Sequence, residues 1–263
     1  MTNFDKYFGD IFGSRWAASL KPALLGETKK VYLQSPFDSG SFQALEEPLS
    51  GAYALDRASL EPVYALELEA GQTFLDLCSA PGGKALTAIY LVKGILQARL
   101  MDMSPARMAR LRAVLFDHLP EGIAKAIQTT CNDGARVGQR FPASFDRVLA
   151  DVPCSAERHH LLDGKLDDWK LSQTKRMSIR QHALACSAID ATVSGGRVVY
   201  STCSLSPFEN DGVIKKLEKS RSGAFKIVRS KLEMGEATEF GKLILPDLYP
   251  GFGPIYYSIL EKL

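Results

Sequence analysis

The sequence predicts an α/β fold built on a mostly parallel sheet, and three observations carry that prediction. From Gln72 onward, short apolar runs alternate with helical stretches, the rhythm of strand–helix–strand units. Acidic residues recur at or just past the ends of four of these runs. Two runs lead into cysteine phrases, Asp151-Val-Pro-Cys154 and Ser201-Thr-Cys-Ser204, so a shared parallel sheet would put both thiols at its carboxyl edge, where open α/β sheets bind ligands.

Residues 1–65 lack strong strand runs and show helical fragments broken at Pro22, Pro36, Pro48 and Pro62; they read as a small helical extension preceding a catalytic unit over 66–263. Phe4, Tyr7, Phe8, Ile11 and Phe12 recur at helical spacing, with Asp5 and Asp10 between them, which fits a packed helix better than a transit peptide. The expected strands are Thr73 to Leu77, Ile95 to Met101, Ala126 to Thr130, Arg147 to Ala150 and Arg197 to Tyr200, with Phe225 to Val228 and Ile255 to Leu260 closing the sheet. A helix over Pro105 to Leu119 starts on Ser104 as cap with Pro105 at the first helical position, and buries Met108, Leu111 and Leu115. A second helix, Gln173 to Thr192, places Ile179, Ala183, Cys186 and Ile189 on one face before Gly195 and Gly196 end it. A third, charged helix covers Glu209 to Lys219. Glu157 to Trp169 reads as a loop near the active edge, in which Arg158, His159, His160 and Trp169 are placed to meet nucleic acid.

Composition narrows the chemistry. The 263 residues, 46% hydrophobic and 24% charged, suffice for a large core. No apolar stretch approaches the roughly 20 residues needed to span a bilayer. A net charge of +2 falls far below that of a self-sufficient phosphate-binding protein, so nucleic-acid binding would rest on a local patch or a protein partner. Five cysteines without close pairs suggest neither a disulfide framework nor a metal site.

The run Phe74 to Lys84 is a strand entering a glycine turn and then a helix, a place where free amides meet a ligand. Asp76, Asp102, Asp133 and Asp151 fall at successive strand ends, and the acid after the second strand suits ribose hydroxyls. The glycine spacing departs from G-x-G-x-x-G, which disfavours NAD.

The phrases Asp76-Leu-Cys-Ser-Ala-Pro-Gly-Gly-Lys84, Asp151-Val-Pro-Cys-Ser155 and Tyr200-Ser-Thr-Cys-Ser-Leu-Ser-Pro-Phe-Glu-Asn210, in this order, resemble those of the RsmB/Nop/Sun family of S-adenosylmethionine-dependent RNA cytosine-5 methyltransferases. The resemblance runs over nearly the whole chain. Phe4-Asp-Lys-Tyr7, Arg158-His159 and Gly253-Pro-Ile-Tyr-Tyr257 are similar to its compact branch of mitochondrial ribosomal and transfer RNA enzymes. It implies a Rossmann-like class I methyltransferase with a seven-stranded sheet and helices on both faces. It further implies that Cys78, Ser79, Ala80, Pro81, Gly82, Gly83 and Lys84 hold the methionine end and ribose of S-adenosylmethionine. Asp102 with Arg107 would bind the ribose hydroxyls, Asp133 and Gly134 would face the adenine, and Asp151 would lie between cofactor and base. The implied substrate is RNA, ribosomal ahead of transfer RNA. The implied compartment is the mitochondrial matrix for a eukaryotic chain that has lost a presequence, and the cytoplasm otherwise.

Carbon 5 of cytosine is too weak a nucleophile to take a methyl group until a thiolate adds to carbon 6. A hydrogen bond to ring nitrogen 3 stabilises the charge that develops there, which Asp151 can donate only when protonated. Lys84 is placed to orient that group and to favour a thiolate. The residues alone leave open whether Cys154 or Cys203 attacks; the resemblance assigns attack to Cys203 and product release to Cys154. Two rivals remain at this point: an RNA scaffold that retains the fold, and a methyltransferase acting on DNA or a small molecule.

Overall fold

The computed structural model describes residues 2–263. Three short strands come first: β1 (Lys30–Gln34), β2 (Gln43–Leu45) and β3 (Tyr53–Asp56). They pair antiparallel in the order β2-β1-β3. The main sheet takes β4 (Thr73–Asp76), β5 (Gln97–Asp102), β6 (Gln128–Cys131), β7 (Phe145–Asp151), β8 (Thr192–Thr202), β9 (Phe225–Val228), β10 (Glu236–Ala237), β11 (Lys242–Ile244) and β12 (Ile255–Lys262). From one edge, β6, β5, β4, β7 and β8 are mutually parallel. β12 then runs antiparallel to β8, and its far edge pairs with β11 through Ile255–Tyr257 and with β9 through Ile259–Lys262.

Alternation along the central strands feeds two cores. Phe74, Leu100, Leu149 and Val199 pack on one face, and Leu75, Met101, Val148 and Val198 on the other. With both faces covered, the central strands read as continuous apolar runs, which is why they were legible. Met108, Leu111 and Leu115 are buried on the helix Pro105–His118, and Ser104 caps it by accepting from the Arg107 amide.

Four expectations need correction. The amino-terminal extension is helical at Asn3–Phe12 and Lys21–Leu25, but it also holds the β1–β3 sheet, whose Val31 and Leu33 join the main core. The hairpin β10–β11 widens the sheet to nine strands. The long helix spans Leu171–Ala191 and β8 begins at Thr192, so Gly195 and Gly196 lie inside a strand; Ile179 is 67% exposed and Cys186 half-buried, because Thr174, Ser178 and Gln181 occupy the inward face. Finally, Glu157–Leu162 is a helix, and Arg158 and Trp169 are buried. The Arg158 guanidinium donates to the carbonyls of Leu24, Gly26 and Gly253, while Trp169 packs edge-on against Phe4 at 5.4 Å. Both side chains fasten the amino-terminal helices beside the cysteine loops instead of facing solvent.

Candidate active site

The strand registers bring the expected groups to one edge. β7 and β8 are parallel neighbours with Asp151 opposite Ser201, so the two cysteine-bearing loops leave the sheet side by side. Ser201 Oγ donates to Asp151 Oδ1 at 2.7 Å, and Lys84 Nζ donates to Oδ2 at 2.8 Å. Lys84 arrives on the helix Gly83–Leu91, which begins at the glycine turn. Gly82 has φ 124°, and a Cβ there would press within 3.1 Å of Leu111 and Val114, so this turn requires glycine. Ser79 stitches the turn to β5: its amide donates to the Met101 carbonyl at 2.7 Å, and its hydroxyl accepts from the Met101 amide at 3.0 Å.

Two cavities meet here. One, of about 130 Å³, is lined by Asp76, Cys78, Ser79, Ala80, Pro81, Gly83, Lys84 and Asp151, with Tyr53, Leu55 and Ser59 from the amino-terminal part. The other, of about 250 Å³, is lined by Cys203, Asp56, Ala156, Arg158, His159 and Gly253 among others, and again by Ser59. Ser59 therefore belongs to the wall of both.

The remaining expected residues lie outside the first cavity: Asp102, Asp133 and Gly134 at or just past neighbouring strand ends, Arg107 on the helix Pro105–His118, Gly82 in the turn itself, and Cys154 lining neither cavity. Asp102 pairs with Arg107 at 3.4 Å, and Arg107 also donates to the Ala80 carbonyl, which links this pair to the glycine turn. Asp133 is held by Arg180 and accepts from the Ala135 amide. Arg180 holds the Asp133 carboxyl below its ordinary range, against a smaller effect of burial. Gly134 has a packing reason of its own, since a Cβ there would come within 2.9 Å of the Leu77 carbonyl.

Electrostatics shape the site further. The neighbouring Cys203 sulfur, and then burial, push the Cys154 thiol well above its ordinary value. Burial lowers Lys84, but Asp151, Cys203 and Asp76 together outweigh it and keep the ammonium charged. The positive charge thus lies among Asp151, Asp76 and Cys203. Burial, then repulsion from Asp151, push Asp76 up to about 7. Burial, then Glu157, push Glu209 up to about 7.

These two acids set a pH dependence of stability. Each binds its proton more tightly folded than unfolded, so the unfolded chain holds fewer protons between about pH 4 and 7, and stability falls as pH rises through that window. Thermal midpoints should therefore drop from pH 5 to pH 7 in the wild-type chain and drop less in the Asp76→Asn, Glu209→Gln double variant. Equal slopes in the two proteins would remove these acids from the account.

Sequence reasoning missed Ser201, Ser59 and Tyr53 as site residues. Ser201 lies inside the Thr-Cys phrase, and Tyr53 and Ser59 in the segment leading to the first strand, so the signal was present without a geometry to interpret it.

Comparison with known proteins places the arrangement. The mouse (Mus musculus) 5-cytosine rRNA methyltransferase NSUN4 is 34% identical over 80% of this chain and 60% of its own length. The mouse mitochondrial tRNA (cytosine(34)-C(5))-methyltransferase is 35% identical over 80% of this chain and 63% of its own. The chain thus spans about three fifths of the length of these curated relatives. A methyltransferase homologue from Pyrococcus horikoshii, 20% identical, shares the fold at a TM-score of 0.77 over 98% of this chain and 95% of that one. Residues 63–260, which carry the whole parallel sheet and both cysteine loops, match the model of the 16S rRNA methyltransferase RsmB/F family, and to that family the chain belongs.

Proposed function

We propose that the chain is an RNA cytosine-5 methyltransferase that uses S-adenosylmethionine, with Cys203 as nucleophile and Cys154 serving product release. One observation carries this reading: two thiols on the loops that leave adjacent parallel strands, with Cys203 beside a charged lysine and lining one of two cavities that share Ser59. When bound, S-adenosylmethionine supplies an electrophilic methyl group on a sulfonium centre. The lining of the first cavity suits the methionine and sulfonium end of such a ligand, because Asp76 and Asp151 face a single ammonium and the amides of a helix start adjoin them. Cys78 to Lys84 hold it, with Asp102, Arg107, Asp133 and Gly134 continuing the binding edge.

The protein's own groups then act in order. The Cys203 sulfur bonds to carbon 6 of the base, and the displaced ring electrons make carbon 5 nucleophilic. Asp151, fixed by Lys84 and Ser201, stands beside the base to engage ring nitrogen 3, and can donate to it only on taking up a proton. Once carbon 5 is methylated, its proton must leave and the carbon 6–sulfur bond must break, with that electron pair returning to Cys203. With Cys203 bonded to carbon, the first of the causes that hold the Cys154 proton is gone, and release requires Cys154 to give that proton to solvent. It then accepts the carbon 5 proton, so each cycle ends with both thiols restored and one proton released.

The relatives named for rRNA and for tRNA match almost equally, and we rank ribosomal RNA first. The net charge of +2 favours help from a protein partner or a structured RNA context. The relative named mitochondrial supports a mitochondrial setting. Incubating the protein with each RNA and a labelled methyl donor, then digesting to nucleosides, should give 5-methylcytidine, and bisulfite sequencing should locate it. Label in any other nucleoside, or no affinity for S-adenosylmethionine, would exclude this function.

A further inference from the structure

Behind the two cysteine loops lies a fully buried pair of acids, Glu157 and Glu209, that the chemistry above does not use. Glu157 Oε1 accepts from Ser155 Oγ at 2.6 Å and from Ser204 Oγ at 2.8 Å, and its Oε2 accepts from the Leu205 amide at 3.2 Å. Ser155 directly follows Cys154, and Ser204 directly follows Cys203. A single carboxylate therefore bonds to the residue after each thiol and ties together loops from two different strands. On the other side, Glu209 accepts from the Ser155 amide at 3.1 Å, meets the Ser155 hydroxyl, and accepts from Gln181 at 2.6 Å. Ser155 has one hydroxyl proton between two carboxyl groups, so a second proton must reside on one of the acids. Burial raises the affinity of both for it. The backbone also strains to place Glu157, because Ala156 just before it has φ 53°, a left-handed conformation unfavourable for a residue with a Cβ.

We propose that Glu157 is a positioning residue that holds the two cysteine loops in fixed register, so that the second thiol can act on a base already bonded to the first. The proposal rests on the two-cysteine reading above and extends it. Attack needs only Cys203 in place, whereas release needs both sulfurs at one base. Loosening the tie should therefore slow release more than attack. A fault of folding alone would lower both together.

The test is covalent adduct formation with RNA and S-adenosylmethionine, followed as a protein–RNA band stable in denaturing gels, alongside turnover. In Glu157→Gln, turnover should fall about tenfold, the scale of one lost charged hydrogen bond, while the adduct fraction rises severalfold above wild type. Ser204→Ala removes one of the three bonds to Glu157, along with the acceptor of the Ser206 amide, and should shift the same balance more weakly, which keeps the test open if the glutamine variant fails to fold. If Cys154→Ala accumulates adduct but both tie variants lose adduct and turnover in parallel, or change neither, the positioning role is wrong. If Cys154→Ala itself accumulates none, the two-cysteine reading fails and the proposal fails with it.

Discussion

Cys203→Ala is expected to abolish methyl transfer, with turnover reduced on the order of 10⁴-fold or more, the scale of losing a covalent nucleophile. The reason is local. Cys203 lines the larger cavity and is the sulfur that helps keep Lys84 charged, while its neighbour Cys154 is held as a thiol. Among the described residues it is the one cysteine that lines that cavity. RNA and S-adenosylmethionine affinities should change little, because the variant keeps the Lys84–Asp151 pair and the glycine turn. Filter binding and initial-rate measurements on the same preparation separate these effects. Retention of a tenth of the wild-type rate would show that another group attacks.

Lys84→Met should produce the second largest loss. The ammonium is 15% exposed and bonded at 2.8 Å to a carboxylate that is 27% exposed. Removing it strands Asp151 beside Asp76, which is already raised to about 7 by burial and by that same neighbour. Breaking a fully buried pair costs about 3–5 kcal/mol, and the residual exposure of Asp151 brings the expected destabilisation to about 2–3 kcal/mol. Denaturant midpoints measure that part. Turnover should fall further, on the order of 10²- to 10³-fold, because a fixed charge beside the reacting groups is lost as well. Lys84→Arg should recover stability before activity, since its fork restores charge but not the position of one nitrogen. A Lys84→Met enzyme with wild-type turnover would remove the lysine from the chemistry.

The fold was legible where burial is two-sided. Val148 to Ala150 and Val198 to Tyr200 are fully buried, and such strands show as apolar runs without any partner being known. The β1–β3 sheet was not, because its strands are three to five residues long and partly exposed, with prolines between them that read as helix breaks. The phase of the helix Leu171–Ala191 was misread for a related reason: its inward face carries Thr174, Ser178 and Gln181, and Thr174 and Gln181 are drawn in by Ser155, Glu209 and the Pro153 carbonyl. Arg158 illustrates the limit most directly. Its acceptors lie 95 to 134 residues away in the chain, beyond the reach of any local pattern. At the site, the cysteine phrases, Lys84 and the strand-end acids were visible as motifs, and the structure brings Lys84, Asp151 and Cys203 together. What the motifs could not display was their support, the Ser201 bond to Asp151 and the carboxylate of Glu157 beneath both loops.

The division of labour between the thiols can be read from two variants, Cys154→Ala and Cys203→Ala, each incubated with substrate RNA and S-adenosylmethionine and run on a denaturing gel. A covalent protein–RNA band should accumulate with Cys154→Ala and be absent with Cys203→Ala. An adduct formed by Cys203→Ala and missing from Cys154→Ala would reverse the two roles and contradict that division.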